Sequence, residues 1–207
     1  MTRPPEIDDA LAALRRGAVV GVPTDTVYGL AVDPSQPGAT DTLFSLKGRP
    51  AGSDLPVLVA SIEDAERLAG PAGLGPTARH LAEVFWPGAL TIVVARRSAL
   101  GWALGDHDTT IGLRCPDHAV ARDLCADIGP LATTSANLHG LPPCTDSAAV
   151  RAVFADRIAA IVDGGRCDGA PSTVVDVTGE VPRCLREGAI AWTEVVGAAD
   201  RFVTGSR

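Results

Sequence analysis

The segment Ala18-Val19-Val20-Gly21-Val22-Pro23-Thr24-Asp25-Thr26 predicts both a fold class and the position of a binding site. Its first half is apolar and rich in β-branched valine, which is typical of a short buried strand. The second half is a loop that carries two threonine hydroxyls and a carboxylate. Because α/β proteins place ligand contacts in loops that follow buried strands, we expect this loop to lie in a ligand-binding site.

Helical and extended segments alternate along the rest of the chain. The predicted helices are residues 6–16, 40–46, 61–68, 76–85, 116–125 and 146–154, with a helical tail from residue 193. The predicted strands are residues 18–22, 56–60, 89–95, 109–114, 131–133, 158–162, 173–177 and 182–186. This pattern predicts an α/β fold with a twisted, mixed and partly parallel sheet flanked by helices. We expect one domain over residues 1–207, with its core at about 8–192 and a C-terminal tail at 193–207.

Composition limits the function. The formal net charge is −7, which argues against a protein built mainly to bind nucleic acid. Neither a secretory signal nor an apolar run of the ~18 residues that span a bilayer is present. We therefore expect a cytoplasmic protein with no membrane partner.

The motifs of several common sites are absent. Neither the phosphate-binding G-x-x-x-x-G-K-[ST] nor the dinucleotide-binding G-x-G-x-x-G occurs, and H-E-x-x-H and G-x-S-x-G are also missing. The five cysteines are odd in number and have no C-x-x-C spacing, so we expect neither a disulfide framework nor a zinc site. We predict no protein metal ligands.

Three residue types occur once each, and each falls in a motif-like loop. Lys47 is the only lysine among 18 basic side chains, Asn137 is the only asparagine, and Tyr28 is the only tyrosine. An ammonium is a compact point charge, whereas a guanidinium is a flat fork. Lys47 and Arg49 can converge on one polyanion. Alternatively, they belong to a solvated helix end, where cations suit the helix dipole.

Hydroxyls and cations recur where predicted strands end. They are Thr24, Thr26, Lys47, Arg49, Arg114, Thr133, Thr134, Ser135, Asn137, Ser172, Thr173 and Arg186. Such a set suits a phosphate-bearing ligand together with a small carboxylate ligand. The alternative is that the serines and threonines cap helices and stabilise turns. No nucleophile has a neighbouring base in sequence, so covalent catalysis is not predicted.

Several of these segments occur in an order that carries a family resemblance. They are Pro23-Thr24-Asp25-Thr26-Val27-Tyr28-Gly29-Leu30, Lys47-Gly48-Arg49-Pro50, Trp86-Pro87-Gly88-Ala89-Leu90-Thr91, Thr110-Ile111-Gly112-Leu113-Arg114-Cys115-Pro116, Ser135-Ala136-Asn137, Asp163-Gly164-Gly165, Ser172-Thr173-Val174-Val175-Asp176 and Leu185-Arg186-Glu187-Gly188. From Ala18 to about Ile190, the chain resembles the YrdC-type domain of the threonylcarbamoyl-AMP synthase family in its short form.

The resemblance implies a YrdC-like fold with a concave ligand cleft, and a nucleotidyltransferase activity. The family makes threonylcarbamoyl-AMP and pyrophosphate from L-threonine, bicarbonate and ATP, for the t6A modification of tRNA. Mg²⁺ is expected to accompany ATP. Further partners would be tRNA and the downstream t6A transferase complex.

The resemblance also implies site residues, motif by motif. Lys47 and Arg49 would be catalytic. ATP would contact Lys47, Arg49, Ser53, Thr110, Ser135, Asn137, Cys144 and Arg186. L-Threonine would contact Thr26, Arg114, Thr133 and Ser172.

The chain departs from the family pattern at three places. Thr134 replaces a common proline, Cys144 replaces a common serine, and Leu58 or Ala60 stands where a histidine often follows K-x-R-P.

Two other functions remain open from the sequence. One is a double-stranded RNA-binding or tRNA-binding module, which the net charge of −7 disfavours. The other is a carbamoyl-transfer domain of the same fold. Product identification by mass would separate the second from a synthase.

Overall fold

The strands form one mixed sheet within the residues that the structure describes. The structure is a computed structural model that describes residues 4–48, 54–138, 140–167 and 169–205. The strands are β1 (Val20–Val22), β2 (Gly29–Val32), β3 (Val57–Leu58), β4 (Leu90–Ala95), β5 (Thr110–Arg114), β6 (Leu131–Ser135), β7 (Ala160–Ile161), β8 (Thr173–Asp176) and β9 (Arg183–Arg186). Their order across the sheet is β7-β1-β2-β6-β3-β5-β4-β8-β9.

Strand directions alternate irregularly across the sheet. The pairs β1–β7, β3–β5 and β4–β8 are parallel. The pairs β1–β2, β2–β6, β3–β6, β4–β5 and β8–β9 are antiparallel. The predicted mixed, partly parallel sheet is therefore confirmed.

Helices flank the sheet on both faces. They are α1 (Pro5–Arg15), α2 (Ala39–Lys47), α3 (Ile62–Leu68), α4 (Pro76–Phe85), α5 (Ala119–Ile128), α6 (Ser147–Phe154) and α7 (Trp192–Gly205). Apolar side chains of α1 and α5 form a smaller core with residues of β1, β2, β3 and β6. The other helices contribute to the larger core on the opposite face. In α7, Val195 and Ala198 are fully buried, so the predicted tail helix contributes to that core.

One half of the sheet has a polar face that borders a cleft. On β4, Leu90, Ile92 and Val94 point into the larger core, and Thr91 and Val93 line the cleft. Side chains alternate between faces along a strand, so β5 presents Thr110, Gly112 and Arg114 to the same side. This half of the sheet therefore forms one wall of the cleft.

Most elements agree with the sequence predictions. Helix α4 has the predicted bounds, and Ser61 caps α3 by accepting a hydrogen bond from the Asp64 amide. Strand β2 was not predicted, because all four of its residues are buried and no polar alternation marks it. Strand β3 is shorter than predicted, although Val59 continues its direction by donating its amide to Arg114 O at 2.9 Å. Hydropathy predicts which residues are buried. Whether those residues also form a β-ladder depends on a partner strand, which hydropathy does not reveal.

The helices just given were compared with the length and hydropathy of a membrane-spanning helix. Across the described ranges, none of them combines the length and apolar character that a membrane span requires.

Because one face of this half of the sheet is open, substitutions of two adjacent valines should lower the free energy of unfolding by different amounts. Val94 is buried in the larger core, whereas Val93 lines the cleft and is partly exposed. We expect Val94→Ala to lower the free energy of unfolding by about 2 kcal/mol, from lost apolar burial and the cavity left behind. Val93→Ala should cost less than about half of that. Urea unfolding of both variants measures the difference, and equal losses would contradict an open face.

Candidate functional site

Two adjoining cavities occupy the open face. The smaller cavity has a volume of about 190 Å³ and the larger about 550 Å³. Asp54, Pro56, Thr91 and Arg186 line both. The predicted site residues that line the smaller cavity are Thr26, Arg114, Thr133, Ser135, Ser172 and Arg186. Strand order brings these residues together, although they are spread from residue 26 to residue 186.

Lys47 lies at the end of α2 with its ammonium buried. The chain turns away at Gly48, which adopts a left-handed conformation with φ of 59°. The Lys47 Nζ donates to Ser135 O at 2.6 Å and to Asn137 Oδ1 at 2.7 Å, with Ser135 Oγ at 3.4 Å. Lys47 as a whole is 2% exposed, so its interpretation as part of a solvated helix end is wrong.

Asn137 is held in turn by the loop that follows β6. Ser135 Oγ donates to Asn137 Oδ1 at 2.6 Å. Asn137 Nδ2 donates to Leu141 O at 2.6 Å and to Leu138 O at 3.1 Å. The amide is thereby oriented with its oxygen towards Lys47. The predicted grouping of Lys47, Ser135 and Asn137 is present in the structure, whereas Arg49 and Ser53 lie outside the described residues.

Cys144 lies close to this group. Its amide donates to Ala136 O at 2.8 Å, and its side chain is buried. Burial raises the pKa of the Cys144 thiol, with Asp146 acting in the same direction and the charge of Lys47 opposing it. The thiol is therefore protonated at neutral pH, which does not favour a nucleophilic role.

Arg114 is oriented by two other segments of the chain, the turn that carries Asp25 and Thr26 and the chain at Gly88. Its Nη2 donates to Asp25 Oδ1 at 2.5 Å, its Nη1 to Thr26 Oγ1 at 3.0 Å, and its Nε to Gly88 O at 3.0 Å. The residue is 6% exposed. Burial lowers the pKa of Arg114, the Asp25 carboxylate raises it, and the nearby Arg186 charge lowers it. A ligand carboxylate in the cavity would thus meet a guanidinium whose direction is already fixed.

Thr24 builds the turn that carries two of these partners. Its hydroxyl oxygen accepts hydrogen bonds from the amides of Thr26 and Val27, each at 3.2 Å. It also lies 2.6 Å from Val27 O and 2.9 Å from Thr26 Oγ1. A threonine that bonds to the backbone ahead of it stabilises a turn in this way. The turn sets the positions of Asp25 and Thr26.

Ser172 and Arg186 close the opposite side of the smaller cavity. Arg186 donates from Nε and Nη2 to Ser172 O, at 3.1 and 2.8 Å, and from Nη2 to Ser172 Oγ at 3.0 Å. Ser172 Oγ lies 2.9 Å from Thr91 Oγ1. Arg186, predicted to contact ATP, therefore borders both cavities. Thr110, also predicted to contact ATP, lines the larger one.

Thr133 lies on β6 between these groups. Its Oγ1 donates to Pro56 O at 3.3 Å. Leu58, which together with Ala60 is a candidate for the position where the resemblance implies a histidine, lines the smaller cavity. It supplies an apolar wall and no hydrogen bond from its side chain.

Two residues with clear positions in the site were not predicted. Asp25 binds Arg114, and Thr91 lines both cavities. Both fall within quoted motifs, so their motifs were recognised and their roles were not. Strand alternation could have identified Thr91, because its neighbours Leu90 and Ile92 are the core residues of β4.

Tyr28 is fully buried beside the site. Its hydroxyl donates to Gly165 O at 2.9 Å and accepts from the Gly164 amide at 3.1 Å. Burial raises the pKa of the Tyr28 phenol, while the Gly164 amide opposes the shift. The phenol is therefore neutral and can act as donor and acceptor at once.

Comparison with known proteins gives consistent matches. Residues 12–188 match the Sua5/YciO/YrdC family model, described as "Telomere recombination". A Mycobacterium tuberculosis relative is 43% identical over 188 residues, which is 89% of this chain and 85% of the relative. A Vibrio parahaemolyticus protein named threonylcarbamoyl-AMP synthase is 34% identical and covers 87% of this chain and 98% of its own length.

A solved structure gives the same fold. Pyrococcus abyssi Sua5 complexed with L-threonine superposes with a TM-score of 0.85 and 34% sequence identity. The match covers 95% of this chain and 58% of that protein. This chain thus spans little more than half the length of the P. abyssi protein.

Tyr28 permits a direct titration, because the chain has no other tyrosine. We expect phenolate absorbance in the folded protein to appear above pH 10.0, the ordinary pKa, since burial disfavours the charged form. A raised folded-state pKa means that this contribution to stability is complete below pH 10.0 and is lost as pH rises through the folded-state value. An ultraviolet pH titration with and without denaturant measures the shift. Identical folded and unfolded curves would contradict a buried phenol.

Proposed function

Because this chain belongs to the Sua5/YciO/YrdC family, we propose that it is a threonylcarbamoyl-AMP synthase. The enzyme forms threonylcarbamoyl-AMP and pyrophosphate from L-threonine, bicarbonate and ATP, and its product serves the t6A modification of tRNA. The observation that carries this proposal is the meeting of two polar groups at one cleft. One is the buried Lys47–Ser135–Asn137 group, which reaches the smaller cavity through Ser135, and the other is the Arg114–Thr26 pair, which lines the same cavity.

The two cavities suit two ligands of different size. The smaller one, about 190 Å³, suits a single amino acid, and the larger, about 550 Å³, lies within the ~300–1,000 Å³ typical of small-molecule sites. We assign L-threonine to the smaller cavity, beside Arg114, Thr133 and Ser172. ATP would occupy the larger cavity beside Thr110 and reach Ser135, which lines the smaller one. Because the cavities share lining residues, the two ligands would meet.

The protein would then act by positioning the substrates and stabilising charge, without a covalent bond between a substrate and a side chain. The L-threonine amine, having lost a proton, attacks bicarbonate, and water leaves as the carbamate forms. A carbamate oxygen attacks the α-phosphorus of ATP, and the bond to the β-phosphate oxygen breaks to release pyrophosphate. Lys47 would stabilise the negative charge that develops on the phosphate, and Arg114 would hold the amino-acid carboxylate.

A nucleotidyltransferase of this type uses Mg²⁺ to neutralise the phosphates. Mg²⁺ commonly binds through substrate phosphates and one or two carboxylates rather than an all-protein cage. Within the described ranges no group of three or more His, Cys, Asp or Glu side chains could hold a metal ion. We expect the ion to arrive on ATP. Contacts with tRNA or a downstream t6A transferase, and a cytoplasmic location, stay predictions.

The activity predicts strict substrate dependence. We expect pyrophosphate release from ATP to need L-threonine, bicarbonate and Mg²⁺ together, because the carbamate is the nucleophile. Release is measured with a coupled pyrophosphate assay, and the adenylate product is identified by mass. Unchanged release on omission of L-threonine would refute the substrate assignment.

Lys47→Arg tests the ammonium contact. A planar guanidinium cannot reproduce short bonds from one nitrogen to Ser135 O and Asn137 Oδ1 in a buried space. We expect kcat to fall about 100-fold or more, the usual cost of losing a group that stabilises developing charge. The matched control is Arg15→Lys, which exchanges the same residue types at an exposed position of α1. Full activity of Lys47→Arg in a folded protein would exclude this role.

A further inference from the structure

The backbone of Tyr28 contacts the nucleotide side of the proposed site. Its carbonyl accepts from the Ala136 amide at 2.7 Å, and its amide donates to Cys144 O at 3.0 Å. Ala136 lies between Ser135 and Asn137, so these bonds fix the loop that holds Lys47. They do not depend on the tyrosine side chain.

The Tyr28 side chain reaches a different segment, residues 163–167. Both of its hydroxyl bonds go to the backbone of Gly164 and Gly165, which are exposed to solvent. The Asp163 carboxylate accepts from the Gly165 amide at 3.0 Å, and the Cys167 amide donates to Thr145 O at 2.7 Å. Two exposed glycines have no side chains that could pack and hold the segment in place. The buried phenol therefore provides a fixed point for this segment.

This segment and Gly169 pack closely against the Pro23–Thr26 turn. A Cβ built on Gly164 would lie 2.4 Å from Pro23 Cγ. The Gly169 amide donates to Thr26 O at 3.0 Å, and a Cβ there would lie 2.9 Å from Asp25 O and from Thr26 Cα. Only glycine permits both approaches without movement of the turn. The turn in turn holds Arg114 through Asp25 and Thr26.

We propose that Tyr28 is a positioning residue for L-threonine, acting through Gly164 and Gly165 on the Pro23–Thr26 turn and so on Arg114. The inference rests on the proposed function, since it assigns this turn to L-threonine. Tyr28 does not touch the reacting atoms. Its hydroxyl instead determines how firmly the partners of Arg114 are held, while its backbone serves the nucleotide side.

Tyr28→Phe removes the hydroxyl and keeps the ring. We expect the KM for L-threonine to rise about tenfold, as two hydrogen bonds of modest net strength would give, with the KM for ATP changed less than about twofold. Hydrogen exchange of the amides at residues 24–27 should accelerate, and that at residues 135–137 should not. Ser61→Ala is the stability control, because it removes a helix cap of comparable value at a different element.

Gly169→Ala tests the last step of this route, from the Pro23–Thr26 turn to L-threonine, through a contact that does not involve Tyr28. The added methyl group would press on Asp25 and Thr26, so the KM for L-threonine should again rise. Gly179→Ala is the matched control, because a Cβ at Gly179 meets nothing within 4 Å.

Calorimetry of L-threonine binding distinguishes a failure of the proposed function from a failure of the proposed role of Tyr28. Wild-type protein that does not bind L-threonine would refute the proposed function and the role of Tyr28 with it. Wild-type binding, together with an unchanged KM for L-threonine in Tyr28→Phe, would refute the positioning role of Tyr28 alone. Equal increases in both KM values would also refute it, because they would indicate a general loss of structure.

Discussion

The buried guanidinium of Arg114 is the interaction on which the site depends. It joins β5 to the Pro23–Thr26 turn through Asp25 and Thr26, and to the chain after α4 through Gly88 O. A buried charge that loses its partner is strongly destabilising, so these segments are constrained to meet. The open face of the sheet is kept in shape by this requirement as well as by the apolar core behind it.

The structure holds its two central cations in different ways. Arg114 is paired with a carboxylate and a hydroxyl, which suits a planar fork with several fixed donors. Lys47 points its ammonium at a backbone carbonyl and a side-chain amide oxygen, which suits a point charge with three rotatable donors. In a chain with 17 arginines, the single lysine occupies a position that a fork does not fit.

The sequence predicts the helices and strands better than it predicts the long-range contacts between them. Caps and breakers such as Ser61, Pro76 and Asp146 mark helix starts correctly, because their effects are local. The pairing of β2 with β6, which sets Gly29 opposite Ser135, is a long-range contact that no local pattern contains. For the same reason the burial of Lys47 could not be predicted, since cations at helix ends are usually solvated. Asp25 was overlooked because its partner, Arg114, lies far along the chain.

The glycines near the site explain how a sheet of short strands supports a precise cavity. At Gly164, Gly169 and Gly188 the backbone approaches another segment so closely that a Cβ would lie within 3.0 Å of it. Such contacts replace side-chain packing with backbone packing, which has fewer alternative arrangements. Positioning of this kind matters when catalysis relies on geometry and charge rather than on a nucleophile. The site is thus preorganised. The rigid turn holds Arg114 in one orientation, and the Lys47 ammonium is enclosed, so both charged groups are fixed before a ligand binds.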